Sequence, residues 1–206
     1  MSAPVPSSTS DPAYAQRLSR LARRGGVMRR VIDPQLPYRW NLRHLHPGLV
    51  LDIGCGIGRN LKHLDGHGVG VDHNEECVRA CVAEGLTAYT PEEFSSSADA
   101  VAEHFDSLLV SHVVEHLTDD EAVELINTYM PYVRSGGRVI IITPQERGQA
   151  SDPTHVQLID GAAIRRLAKR LHLRVESVRS FPFTRLVGRV FTYNETVATL
   201  VRPSGN

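Results

Sequence analysis

Residues 49–58 read LVLDIGCGIG, an apolar run that ends in an acidic residue and passes into glycines at 54, 56 and 58. A short apolar run bounded this way predicts a buried parallel strand. The glycines let the backbone turn sharply and approach a ligand closely, beside the N-terminus of the next helix. Spacing alone fits more than one ligand. A dinucleotide fingerprint, GxGxxG, needs glycine at 59, where the chain has Arg59, and the GK[ST] of a phosphate-cradling loop is absent. Asp72 closes the next apolar run, GVGVD at 68–72. There a carboxylate can accept from the hydroxyls of a ribose.

Outward from this stretch, strand and helix patterns alternate. Helices are expected over 59–64, 74–84 (with Asn74 as cap), 119–133 and 160–171, the third with an acidic first turn that suits the helix dipole. Strands are expected at 86–89, 107–111 and 138–143, and 91–105 reads as helix or loop. The chain ends on two strand patterns, 173–178 and 187–201, with no helix between them, which suggests an antiparallel hairpin closing the sheet. The fold class is therefore α/β, a doubly wound sheet in one domain. The domain is expected over 48–206, after a flexible Ser/Pro-rich tail at 1–12 and a helical or lid segment at 13–47 that carries Tyr38, Arg39 and Trp40.

With 206 residues, 41% hydrophobic, the chain has enough material for a packed core and is not of disordered composition. No run of eighteen apolar residues offers a membrane span. The start lacks the apolar core of a signal peptide, and Cys55, Cys77 and Cys81 form neither a CxxC pair nor an even disulfide set. A cytoplasmic location is the expectation. Formal net charge is zero, but unevenly distributed: ten basic and three acidic residues over 1–62, one and fifteen over 63–124, twelve and five over 125–206. Pairing between the basic and acidic blocks, within one chain or across a homodimer, is a further expectation.

DIGCGIG at 52–58 resembles the first motif of class I S-adenosylmethionine-dependent methyltransferases, and GVD at 70–72 the second. FDSLLVSHVVEHL at 105–117 and SGGRVIIITP at 135–144 are similar to the motifs of the family's fourth and fifth strands. The resemblance implies a Rossmann-like seven-stranded sheet in the order 3-2-1-4-5-7-6, strand 7 antiparallel, with S-adenosylmethionine as cofactor. By the same carry-over Gly54 and Gly56 lie under the methionine part, Asp72 on the ribose, and Thr90, Pro91 and Glu92 near the adenine. Asp52, His73 and Ser111 complete the expected cofactor set. TPEEF at 90–94 departs from the Asp-bearing sequence more usual there.

Transfer from a sulfonium is an in-line displacement, so the protein mainly positions the acceptor, and a neutral alcohol must also lose its proton to a base or with help from a metal. His112, Glu115 and His116 form an HxxEH segment whose spacing can share one face. Two imidazoles and a carboxylate make a partial site for a divalent cation, Mg or Mn; the alternative is a fourth-strand variant with no ligand. HxxEH is similar to the ExxEH segment by which some ubiquinone-pathway and small-RNA methyltransferases bind such a cation, with His112 in place of the first acid. His155, in SDPTH at 151–155, follows the fifth strand and is expected to act with His116 in catalysis, as base or as a further ligand.

PYRWNLRHL at 37–45 and DPTH at 152–155 resemble small actinobacterial methyltransferases, some of which act on methylated mannose polysaccharides. The leading expectation is an O-methyltransferase acting on a saccharide hydroxyl. A quinone, phenol or other natural product is the alternative acceptor. An RNA methyltransferase ranks third, because no recognised RNA-binding module accompanies the basic N-terminal arm. A non-catalytic binding protein ranks behind all of these.

Overall fold

The computed structural model describes residues 33–204. The expected tail over 1–12 and the first part of the 13–47 segment lie outside the described residues. Seven strands, β1 (Val50–Ile53), β2 (Gly68–Val71), β3 (Ala88–Tyr89), β4 (Phe105–Ser111), β5 (Val133–Pro144), β6 (Arg174–Phe181) and β7 (Glu195–Val201), form one sheet. Their order is β3-β2-β1-β4-β5-β7-β6. Pairings from β3 to β5 are parallel, and β7 is antiparallel to both β5 and β6. The expected topology is what the chain adopts.

Helices α1 (Leu36–His44), α2 (Arg59–His63), α3 (Glu75–Ala83), α4 (Pro91–Ser95), α5 (Asp119–Tyr129), α6 (Glu146–Gln149) and α7 (Gly161–Arg170) accompany the strands. Alternate side chains of the central strands go to opposite faces. Leu51, Ile53, Leu108, Val110, Val139 and Ile141 join Ile126 of α5 and Ile164 of α7 in one buried cluster. Val50, Leu109, Ile140 and Ile142 join Leu42 of α1 and Leu64 in the other. Each such large side chain, fully buried, contributes about 1.5–3 kcal/mol. Because both faces are covered, these strands read in sequence as unbroken apolar runs. No helix among the described residues is long and apolar enough to cross a membrane.

The helix starts follow local chemistry. Asn74 Oδ1 accepts from Glu76 N (3.0 Å), and Asp160 Oδ1 accepts from Ala162 N and Ala163 N (2.9 Å each). Thr90 and Thr118 each close a capping box, with Glu93 and Glu121.

Three expectations need correction. The 119–133 helix stops at Tyr129, because Pro131 cannot donate a helical hydrogen bond; Met130–Tyr132 is a 3-10 turn and Val133 already belongs to β5. β5 begins five residues before Arg138, with a register break between Phe105↔Val133 and Ser107↔Arg138 that absorbs Gly136, whose φ is +72°. Residues 187–194 are not strand. Arg185–Arg189 form a 3-10 turn, and Asn194 pins the segment down by accepting from Phe183 N (2.9 Å) and donating to Gln145 Oε1 (2.8 Å). Tyr38 and Trp40, from the expected helical or lid segment, lie on α1; Tyr38 packs edge-on against Phe181 and Trp40 stacks on His44.

Candidate active site

The site lies where the parallel strands end, at the edge expected of a doubly wound sheet. β1 runs into a loop in which Gly54, Gly56 and Gly58 have φ of +70°, +54° and +74°. Gly54 N and Cys55 N both donate to Val71 O, at 2.8 and 3.2 Å, which folds the loop back over the end of β2. A methyl group at Gly54 would overlap Val113, so the position is closed to side chains by packing as well as by backbone.

Asp72 secures that loop from β2. Its Oδ2 accepts from Gly56 N (2.8 Å) and its Oδ1 from Asn74 N (2.9 Å). A carboxylate offers about four acceptor positions, so each oxygen retains capacity for a hydroxyl donor. His73 follows on the exposed side, its Nδ1 3.8 Å from Asp72 Oδ1.

Beside the loop opens a cleft of about 420 Å3, within the usual range for small-ligand sites. Gly54, Gly56, Asp72, His73, Pro91, His112 and His116 line it, together with the α5 residues Glu121, Glu124, Leu125 and Thr128. Seven of the residues expected from sequence are thus gathered there. The remaining expected cofactor residues do not line it. Thr90 spends its hydroxyl on capping α4, Glu92 is exposed, and Ser111 is buried with an unpartnered Oγ. Asp52 is buried on the sheet face opposite Ile53, with no hydrogen bond to either carboxylate oxygen. Burial pushes its carboxyl up to about 7, against the opposing pull of the Asn60 amide and the Arg59 charge.

At the end of β4 the chain turns through His112, at φ +59°. Its Nε2 is 2.9 Å from Glu195 Oε1 and its Nδ1 3.3 Å from Glu115 Oε1. Burial lowers the proton affinity of this imidazole, but the hydrogen bonds and charges of the two carboxylates prevail and raise its pKa to about 9. The His112 imidazole is therefore held protonated at neutral pH, between the Glu115 and Glu195 carboxyl groups.

Glu115 lies in a single 3-10 turn, Val114–His116, and is fully buried. Its backbone oxygen receives Val156 N (2.8 Å), which draws the loop after β5 against the turn. That loop brings His155 to His116, with ring centroids 4.7 Å apart. His116 Nδ1 is 3.1 Å from Thr154 O, and His155 Nδ1 is 2.9 Å from Gln149 O. A carbonyl only accepts, so both neutral rings carry their proton on Nδ1 and keep the Nε2 lone pair.

Glu115, His116 and His155 place one ligand atom each within 4.8 Å of one another. An oxygen and two nitrogens suit a divalent cation, and carbonyl-anchored imidazoles are the usual support for such ligands. The structure thus groups Glu115 and His116 with His155, which the sequence reading offered as a further ligand, while His112, grouped with them from spacing, lies between the Glu115 and Glu195 carboxyl groups. Glu195 and the α5 face were not singled out from sequence. The α5 residues carried a signal, positions 121, 124, 125 and 128 at helical spacing; Glu195, paired across 83 residues, carried none. Tyr193 and Asn194 do not line the cleft: Tyr193 is exposed and Asn194 buried in the hydrogen bonds described above.

Comparison with known proteins agrees with this fold. A solved S-adenosylmethionine-dependent methyltransferase of Archaeoglobus fulgidus superposes with a TM-score of 0.65, at 20% identity over 91% of this chain and 99% of that one. Magnesium protoporphyrin IX methyltransferase of Synechocystis, with bound SAH, gives a TM-score of 0.64 at 17% identity, over 94% and 96%. At these identities the likeness is one of fold. An uncharacterized methyltransferase of Bacillus pumilus is 24% identical over 125 residues, so the match spans about three fifths of the length of that curated relative. The profile of the methyltransferase domain family matches residues 14–178. By that match and by its sheet, the chain belongs to the methyltransferase domain family and has the class I fold of S-adenosylmethionine-dependent methyltransferases.

Proposed function

We propose that the chain transfers a methyl group from S-adenosylmethionine to a hydroxyl oxygen of a saccharide, assisted by a divalent cation. The observation that carries this reading is the meeting, at His116, of the glycine-loop cleft with the Glu115–His116–His155 cluster. The donor supplies a methyl on a sulfonium. Gly54 and Gly56 admit it to close backbone approach, and the free acceptor capacity of Asp72 suits its ribose.

Glu115, His116 and His155 would hold the cation, whose contribution is to lower the proton affinity of the acceptor hydroxyl. Without a cation, the Nε2 lone pair of His155 is itself a proton acceptor, fixed in place by Gln149 O. The saccharide rests on the sequence resemblance of PYRWNLRHL and DPTH. A second acceptor class, phenols and quinones, is favoured by the apolar side chains Val113, Leu117 and Leu125 that line the cleft.

The test is methyl transfer by the full chain from S-adenosylmethionine to oligosaccharides and phenols, with Mg2+, with Mn2+ and with a chelator. Cation-dependent methylation of a sugar hydroxyl is expected. A chain that binds neither S-adenosylmethionine nor S-adenosylhomocysteine in calorimetry would sink the enzyme reading. Cation-independent turnover would reduce His155 to the role of base.

A further inference from the structure

We propose that the connection between β6 and β7, residues 182–194, is a docking surface for an anionic lipid bilayer. The proposal is independent of the donor and acceptor readings above, because none of these residues lines the cleft.

The connection is built inside out. Polar side chains ordinarily face water and apolar ones the interior. Here the buried side is polar. Asn194 Oδ1 accepts from Phe183 N (2.9 Å), and Asn194 Nδ2 donates to Gln145 Oε1 (2.8 Å) and Thr184 O (3.2 Å). Gly188 packs so closely on Gln145 that a methyl group there would overlap it. The outer side is apolar: Phe183 is 52% exposed, Leu186 71%, Val190 77% and Tyr193 68%. Phe183 and Tyr193 each meet Phe191 edge-on, with ring centroids 5.5 and 5.7 Å apart. Inner hydrogen bonds thus fix the chain while four large apolar side chains face solvent. One exposed apolar residue needs no explanation, but a set of them on one fixed segment marks an interaction surface.

Charge selects the occupant. Residues 177–194 contain Arg179, Arg185 and Arg189 and no acidic residue. Arg179 turns inward and donates to Asn41 Oδ1 (2.6 Å), and Arg185 engages both carboxylate oxygens of Glu146. Arg189 remains as exposed positive charge on the connection. Arg147, also exposed, stands on α6, which packs against the connection where Gly148 meets Thr192 O. A second copy of this surface would bring like charges together, and so would residues 1–32, with six arginines and one acidic residue. A polynucleotide offers anions, but Leu186 and Val190, the two most exposed of the set, have no ring on which a base can stack. An anionic bilayer meets both features. Apolar side chains enter the boundary between headgroups and acyl chains, and arginines stay among the phosphates. β6 ends at Phe181, and β7 begins at Glu195, opposite Pro144 at the end of β5. The contact therefore lies on the sheet edge that also carries the cleft.

The experiment is vesicle sedimentation of the full chain, with vesicles of phosphatidylcholine and with vesicles in which a quarter of it is replaced by phosphatidylglycerol. The wild type is expected to bind the anionic vesicles at least about tenfold more tightly than the neutral ones, and less tightly as salt rises. Leu186→Ser combined with Val190→Ser should weaken binding to the anionic vesicles by about tenfold or more. Arg147→Gln combined with Arg189→Gln should lower the preference for anionic lipid by about tenfold. All four side chains are exposed, so thermal unfolding of both double variants should match the wild type. A wild type that binds neither vesicle overturns the proposal, whether it instead dimerises or takes up single-stranded RNA through these residues. Anionic binding that survives undiminished in both double variants overturns it as well, because the charge of residues 1–32 would then suffice.

Discussion

His112 Nε2 lies 2.9 Å from Glu195 Oε1, and through this contact the end of β4 is joined to the start of β7 across the intervening β5. The other ring nitrogen faces Glu115, which is fully buried and has no other cation described beside it. Removing the imidazole strands a buried carboxylate. His112→Ala should therefore cost about 3 kcal/mol, and Glu195→Gln only about 1 kcal/mol. Adding Glu115→Gln to His112→Ala should restore part of the loss, since the uncompensated charge disappears. The left-handed backbone at His112 predicts that His112→Asn is milder than His112→Ala, because Asn tolerates that region better. Urea unfolding in chelator decides these rankings.

Asp52 predicts a pH dependence of opposite origin to the usual carboxylate. Its folded-state value of about 7 lies above the ordinary 3.8, so the unfolded chain gives up this proton first. The associated stability is present below the ordinary carboxylate range and is lost as pH rises through about 7. Ligand-free protein should lose up to about 4 kcal/mol between pH 4 and pH 8 from this one group. Asp52→Asn should flatten that part of the curve. Chemical unfolding of both proteins at several pH values is the check, and parallel curves would mean that Asp52 stays ionised.

The sheet was legible because parallel strands covered on both faces must be apolar throughout, as LVLDI and RVIIIT are. The same reasoning failed at 187–194, where Val187, Val190 and Phe191 look like strand. There the apolar side chains of Val190 and Tyr193 are exposed, and buried Asn194 organises the turn. In the site, spacing suggested that His112, Glu115 and His116 share one helical face. The backbone breaks that face at His112, and a single 3-10 turn begins only at Val114. His155 joins His116 beside Glu115 because Val156 N bonds to Glu115 O, a long-range contact that no local pattern encodes.

Gly54 is where the fold and the proposed donor site meet. Any side chain there must both adopt φ +70° and displace Val113, which itself lines the cleft. Gly54→Ala should destabilise the protein by about 1–3 kcal/mol and weaken S-adenosylhomocysteine binding by at least about tenfold. Val113→Ala added to Gly54→Ala should recover affinity by making room for the methyl. Calorimetry on the three variants tests the claim, and an unrecovered double variant would assign the loss to backbone strain alone.

The Glu115–His116–His155 cluster predicts a metal signature that does not depend on knowing the acceptor. Mn2+ titrated into chelator-treated protein should bind at one site, seen by electron paramagnetic resonance, and His155→Ala should weaken it by about tenfold or more. Glu115→Gln should weaken it further, because a neutral amide replaces the only anionic ligand of the three. His112→Asn, which leaves all three candidate ligands in place, should change Mn2+ affinity much less. Equal loss in all three variants would mean that the ions bind elsewhere or that His112 is a ligand after all.

The last prediction concerns the strongly basic start of the chain. α1 runs from Tyr38, whose hydroxyl donates to Tyr193 O (2.7 Å), to Arg43, which pairs with Asp65 beyond the far end of α2. Its N-terminus therefore lies toward Tyr193. Residues 1–32 contain six arginines and one acidic residue, whereas the cleft wall and first turn of α5 carry Asp119, Asp120, Glu121 and Glu124. The family profile begins at residue 14, inside this segment. Deleting residues 1–32 should lower kcat/KM by about tenfold at low ionic strength, and by less as salt screens the charges. Replacing the six arginines with glutamine in the full-length chain should reproduce the salt-sensitive part of that loss. Identical kinetics of the full and shortened chains at every salt concentration would show that the basic arm plays no part at the site.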